Sequence, residues 1–161
     1  MNTQKQELQI RHELVQSVSQ ARTELGALTV ARHKSAPGEA FSAVNAAFFA
    51  SIKKHRDQVS AIREELIRSS IERRLSLIGP CQFQMMVDNV PYYSFWDHAT
   101  GTRIANLAYG TEANRTMYQM KADLEKATRR RMARELEWAD AAIESWTRML
   151  EQNPVAARLA S

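Results

Sequence analysis

The apolar residues Leu14, Val18, Ala21, Leu25 and Leu28 recur at alternating steps of four and three. That spacing keeps one stripe of an α-helix facing a neighbour, as in a heptad seam. Residues 5–34 contain no proline and a single glycine, Gly26, so a helix is predicted over about 5–34. The stretch Lys34-Ser35-Ala36-Pro37-Gly38-Glu39 follows. Its Ser, Pro and Gly read as a break between helices, short enough to fold the chain back.

A second helix is predicted over about 39–78, repeating the alternation through Phe41, Asn45, Phe48, Ile52, His55, Val59, Ile62 and Leu66. Beyond Leu66 the stripe moves to Ile67, Ile71, Leu75 and Ile78, a change of phase that predicts a new neighbour. Gly79-Pro80 should stop the helix, since Gly accepts a left-handed cap and Pro cannot continue the hydrogen-bond ladder.

From about 81 to 109 the periodicity gives way to β-branched and aromatic residues between turn signals, Asp88-Asn89 and Asp97-His98-Ala99-Thr100-Gly101. Three short strands are predicted, about Gln82–Val87, Val90–Trp96 and Thr102–Ala108, with Pro91 where a strand begins or its donor position faces outward. A last helix is predicted over about 111–152, ending before Asn153-Pro154. Its stripe Met117, Met120, Leu124, Ala127 slips in phase near Arg129–Arg131 and resumes at Met132, Leu136, Ala139, Ile143, Trp146 and Leu150. Trp138, Ala142 and Met149 add a second apolar edge, which implies two neighbours.

The predicted fold is therefore mainly α: a single elongated domain over 1–161, a helical hairpin or coiled-coil bundle of three long helices. A small three-stranded antiparallel β-meander is inserted before the last helix. At 1.5 Å per residue such helices would be about 45, 60 and 60 Å long, beyond a compact domain of this size.

Composition sharpens this picture. The 161 residues are 44% hydrophobic and 25% charged with only 5 Gly and 4 Pro, near globular averages. The one cysteine, Cys81, cannot form an internal disulfide, and no apolar run approaches the length of a membrane span. A soluble, cytoplasmic protein with no membrane partner is expected.

Little points to catalysis. His12, His33, His55 and His98 lie in different predicted elements with no i, i+4 pair, so no local metal site is expected. No phosphate loop or nucleophile elbow occurs, and no cofactor is expected. Asp97-His98 near Tyr92, Tyr93 and Ser94 reads as a turn before it reads as a hydrolase, because a tight turn rarely supplies both a nucleophile and its oriented base. Cys81 reads as a small apolar residue. His55 and Asn45, polar residues on the second seam, read as register-setting positions, with a pH-sensitive contact as the functional alternative for His55.

Charge and aromatics are more informative. Against 18 Asp and Glu stand 22 Lys and Arg, and the excess sits in the first two helices. Lys53, Lys54 and Arg56, with Arg129, Arg130, Arg131 and Arg134 on the last helix, form basic runs suited to phosphates. Glu7–Arg11, Glu64–Arg68, Glu125–Arg129 and Glu144–Arg148 are i, i+4 pairs, the mark of a solvated helix face. In the middle strand Tyr92 and Trp96 alternate with Tyr93 and Phe95, so both faces carry aromatics and one is left for a partner. The reading is a non-enzymatic protein–protein interaction protein, an assembly factor, adaptor, structural component or inhibitor. It would self-associate or bind a protein partner through its helices and through Tyr92, Tyr93, Phe95, Trp96 and Trp138. The alternative is a basic coiled-coil protein that contacts nucleic-acid backbone without strong sequence specificity.

Overall fold

The computed structural model describes residues 3–76, 78–87, 90–97, 102–108 and 111–159. For those between 78 and 118, and for Met120, Ala156, Ala157 and Leu159, it describes the backbone alone. The chain is mainly α-helical: α1 spans Thr3–Lys34, α2 Glu39–Leu75, α3 Thr111–Glu135, α4 Glu137–Gln152 and α5 Pro154–Leu159. Among the described residues no helix is long and apolar enough to cross a membrane.

The link between α1 and α2 is built as its residues dictate. Ser35 closes α1, its amide donating to the Arg32 carbonyl at 3.4 Å and its hydroxyl to the Ala31 carbonyl at 2.8 Å. Gly38 then takes φ +106°, a left-handed conformation that a side chain would strain, and its carbonyl accepts from the Ser42 amide at 3.0 Å to open α2.

Two helix boundaries differ from the sequence expectation. The predicted 39–78 helix ends at Leu75, before Gly79-Pro80. Ser76 donates its hydroxyl to the Arg73 carbonyl at 2.7 Å, a local bond that competes with further helix. The predicted 111–152 helix is interrupted at Leu136 (φ −105°, ψ 13°), whose carbonyl accepts from the amides of both Ala139 and Asp140 at 3.0 Å. Buried Thr128, Met132 and Leu136 step by four and four, and Ala139 follows after three. Two successive steps of four carry the stripe around the helix, and the irregular turn accompanies its return.

Between α2 and α3 the backbone pairs antiparallel as β1 (Ile78–Val87), β2 (Val90–Asp97) and β3 (Thr102–Ala108), in the order β1-β2-β3. Register shifts fall between Pro80 and Gln82, Phe83 and Met85, and Phe95 and Trp96. The expected turns at Asp88-Asn89 and at His98–Gly101 lie outside the described residues.

The chain divides into two compact units, one of Lys5–Leu66 with Glu135–Ser161, the other of Met1–Gln4 with Ile67–Arg134. In the first, α1 and α2 are antiparallel: Arg32 lies over the Phe48 ring at 4.4 Å, and Glu24 meets His55 farther from the link. The helix α4 returns along both. Arg11 reaches Glu135 at 3.2 Å, and the Arg63 guanidinium takes both Asp140 oxygens, at 2.5 and 3.2 Å. The buried apolar set is Ile10, Leu14, Val18 and Ala21 of α1, Phe48, Phe49, Ile52, Val59, Ile62 and Leu66 of α2, and Ala139, Trp146 and Leu150 of α4 with Leu136 before it; Glu7, Ser17, Ser51 and His55 are the buried polar residues of this unit. In the second unit the buried described side chains are Ile67, Ser69, Ser70 and Ile71 of α2 with Thr128 and Met132 of α3.

Candidate interaction surface

Trp138 occupies the first turn of α4, one position before the buried Ala139, and is left 39% exposed. Its neighbours come from one edge of α1's buried stripe. Val15, Val18, Ser19 and Arg22 line a cleft of about 300 Å³ with it. Val18 is buried, whereas Val15 is 54% exposed, so the cleft carries apolar surface from core to solvent. Leu8 and Val30, also exposed, lie on the same helix. Of the residues gathered here, the indole and the arginine are types enriched where binding energy concentrates at protein interfaces, and Val15 adds apolar area beside them.

Salt bridges hold this surface in place. Arg11 bridges Glu7 at 3.1 Å and Glu135 at 3.2 Å, tying α1 to the residues that precede α4. The paired Arg63–Asp140 contact ties α4 to α2 on its other side, in the two-pronged geometry that orients as well as attracts. The start of α4, which carries Trp138, is thereby in polar contact with both helices.

The other expected site residues separate into groups. Tyr92, Tyr93, Phe95 and Trp96 lie in β2, where Tyr93 pairs with Phe83 and Leu107, and Phe95 with Pro80 and Ala105. Their side chains lie outside the described residues, as do those of Cys81, Asp97 and His98. Of the basic residues, Lys53, Lys54 and Arg56 flank His55 on α2 in one unit, and Arg129, Arg130, Arg131 and Arg134 belong to α3 in the other. Arg56 pairs with Asp57 at 2.9 Å, Arg129 with Glu125 at 3.5 Å, and Arg131 donates to the Ser70 hydroxyl at 3.4 Å. Lys54, Arg130 and Arg134 are exposed, and Lys53 is half-buried.

His55 is 2% exposed, with Nε2 2.6 Å from Glu24 Oε2. A carboxylate only accepts, so the ring donates through Nε2. The hydrogen bond from His55 holds the Glu24 carboxyl below the usual carboxylate range; partial burial opposes it, and the attraction of the His55 ring, Ser51 and Lys54 add smaller lowering contributions. Sequence periodicity placed His55 on the seam, but its partner 31 residues away left no mark in the pattern. The Trp138 cleft did leave one: Val15 follows Leu8 by seven, a second apolar column on α1 outside the main seam.

Among the described residues no group of three or more His, Cys, Asp or Glu is placed to hold a metal ion. Comparison with protein-family models, with curated proteins and with solved structures found no match, so the functional reading rests on this geometry.

Proposed function

We propose that this chain is a non-enzymatic protein–protein interaction protein, an assembly factor, adaptor, structural component or inhibitor working by surface complementarity. The observation that carries the reading is the cleft in which Trp138 and Val15, both substantially exposed, stand beside Arg22 on helices joined by the Arg11 and Arg63 ion pairs. Apolar residues so placed gain from burial at about 25 cal/mol per Å² when a partner covers them, with little side-chain ordering to oppose it. In this reading the α1 and α2 seams act as coiled-coil elements, and the aromatic meander around Tyr92, Tyr93, Phe95 and Trp96 supplies a second contact area. Self-association is the expected mode of engagement.

Light scattering after size exclusion, at low and high salt and with a short DNA duplex, tests it. A salt-insensitive multimer that the double substitution Val15→Ser, Trp138→Ser converts to monomer, with helical content unchanged, is the expected result. A monomer that ignores DNA would remove self-association from the proposal.

The second reading, a nucleic-acid binder acting on phosphates, draws its support from the exposure of Lys54, Arg130 and Arg134. It would use Lys53, Lys54, Arg56, Arg129, Arg130, Arg131 and Arg134. It is weakened by the intramolecular partners of Arg56, Arg129 and Arg131, because each such contact competes with a phosphate. A DNA complex that dissolves as salt rises would favour it over the first.

A further inference from the structure

Beside Trp138 the outward face of α1 is left open. Leu8, Val15 and Val30 stand 60%, 54% and 51% exposed on it. At 3.6 residues per turn they share one stripe with His12, Ser19, Thr23 and Gly26, all of them exposed and all within about 40° of Ser19 around the helix. The stripe lies opposite the buried Ile10, Leu14 and Ala21. On the flank away from Trp138 the groove along it is lined, among the described residues, by α1 alone, with Val15, Ser19 and Thr23 in its wall.

Outward from Ser19 the two halves of the stripe match position for position. Val15 and Thr23 lie four residues to either side, His12 and Gly26 seven, Leu8 and Val30 eleven. A two-fold axis makes residue i of one copy meet residue j of the other while j meets i. Two copies of α1 running antiparallel across Ser19 would therefore set Leu8 against Val30 and Val15 against Thr23, apolar or β-branched on both sides. They would set His12 against Gly26, a ring against a position with no side chain. Within the chain Gly26 has no packing reason to be glycine, since an added Cβ meets nothing within 4 Å, and glycine weakens a helix interior more than any residue except proline. A parallel pairing would instead set His12 on His12 and leave two glycines facing a gap.

We propose that α1 pairs antiparallel with α1 of a second copy of this chain through this stripe, with Ser19 on the two-fold axis. The pairing rests on the self-association proposed for the Trp138 cleft and specifies its geometry. Ser19 also lines that cleft, so the axis brings the two clefts together and places each Arg22 beside the other copy's indole, a cation near an aromatic face. No stripe residue is Asp, Glu, Lys or Arg, and the like charges brought near one another, Lys5 and Lys34, meet at the exposed ends, where water and salt screen them. The stripe runs about 33 Å from Leu8 to Val30, and at a helix width of about 12 Å the two copies, with their indoles, bury on the order of 1,000 Å². That is the lower bound of a specific interface and short of the roughly 1,200–2,000 Å² of stable ones, so the dimer is reversible, with a Kd on the order of 10 μM.

The test is disulfide cross-linking of the full chain in which Cys81→Ser removes the native thiol. Under mild oxidation Ser19→Cys should couple to itself in most chains, because a residue on the axis faces its own copy. Thr23→Cys alone should stay uncoupled, since its two copies stand about 12 Å apart along the helices, beyond the roughly 7 Å between Cα atoms that a disulfide spans. Mixed with Val15→Cys it should couple. Gly26→Gln should act in two opposite directions: it stabilises α1, where nothing in the chain opposes the new side chain, and it weakens the dimer about tenfold or more by sedimentation equilibrium, because it meets His12 of the second copy. Should Cys81→Ser fail to fold by circular dichroism, Gly26→Gln decides the matter. Coupling of Thr23→Cys to itself as readily as Ser19→Cys, no coupling of Ser19→Cys in a chain that dimerises, or a Gly26→Gln dimer as tight as the unaltered one would each overturn this pairing and leave self-association standing. A chain still monomeric at about ten times the expected Kd would overturn both, and would leave the face to a different protein.

Discussion

The unit of residues 5–66 and 135–161 and the unit built around residues 67–134 close their helices with different chemistry. In the first, Leu14, Val18, Ile52, Val59, Leu66 and Ala139 are at most 1% exposed, and Trp146 and Leu150 complete a core drawn from three helices. In the second, the buried described side chains alternate between Ile67, Ile71 and Met132 and the small polar Ser69, Ser70 and Thr128. Burying aliphatic side chains is what stabilises a helix packing, while a buried serine returns little beyond the bond that satisfies it. The same helix, α2, buries mostly apolar side chains up to Leu66, with Ser51 and His55 among them, and beyond Leu66 its buried described side chains are half apolar and half serine.

The largest way to break this contrast is a cavity in the first unit. Leu14→Ala, at a site with no exposure, should cost about 2–5 kcal/mol, read as a lowered denaturant midpoint. A cost near zero would mean that the α1 seam does not carry the unit. The Glu24–His55 contact should matter less than that. Because the Glu24 carboxyl titrates below its ordinary value in the fold, its contribution is present above the usual carboxylate range and lost as pH falls through the folded value. Glu24→Gln should therefore flatten the acid limb of a stability–pH curve; an unchanged limb would show that the contact carries no linkage.

Smaller again is Gly26→Ala. An added Cβ there meets nothing within 4 Å, so the substitution should stabilise α1 by about 0.5–1 kcal/mol through helix propensity alone. Smallest is Ser70→Ala in the second unit. The Arg131 bond it removes is long, at 3.4 Å, and a loss of about 0.5 kcal/mol is expected. A loss as large as that of Leu14→Ala would erase the distinction between the units.

Much of the helical architecture was legible in the order of residues. Of the predicted seam residues Leu14, Val18, Ala21, Phe48, Ile52, His55, Val59, Ile62 and Leu66 are buried, because a four–three spacing keeps one face of a helix in register with whatever covers it, while Leu25, Leu28 and Asn45 are half-buried and Phe41 is exposed where the seams run out towards the α1–α2 link. The change of phase after Leu66 falls where the chain passes from one compact unit to the other. The slip near Arg129–Arg131 foreshadowed the interruption at Leu136, although periodicity alone did not distinguish a twist of the stripe from a break in the helix. The end of α2 was misplaced because Gly79-Pro80 is the stronger sequence signal, while a single serine hydroxyl acts first. Of the expected contact residues, Trp138 is exposed in a cleft, whereas the basic run on α3 is partly engaged within the chain.

By itself the sequence determined the inward face of α1 and of most of α2 and α4, and that the chain folds back at Pro37-Gly38, since both follow from local spacing and backbone freedom; on α3 the expected Ala127 is exposed and Thr128 is buried in its place. Only the tertiary structure decided the partners: Glu24 for His55, Asp140 for Arg63, Arg32 over Phe48, Val15 beside Trp138, and Val155 across from Phe41. Periodicity repeats identically along every turn of a seam, so it names a face and leaves the neighbour open. Contacts between groups dozens of residues apart depend on the vertical register of one helix against another, which is set by the packing of the whole core.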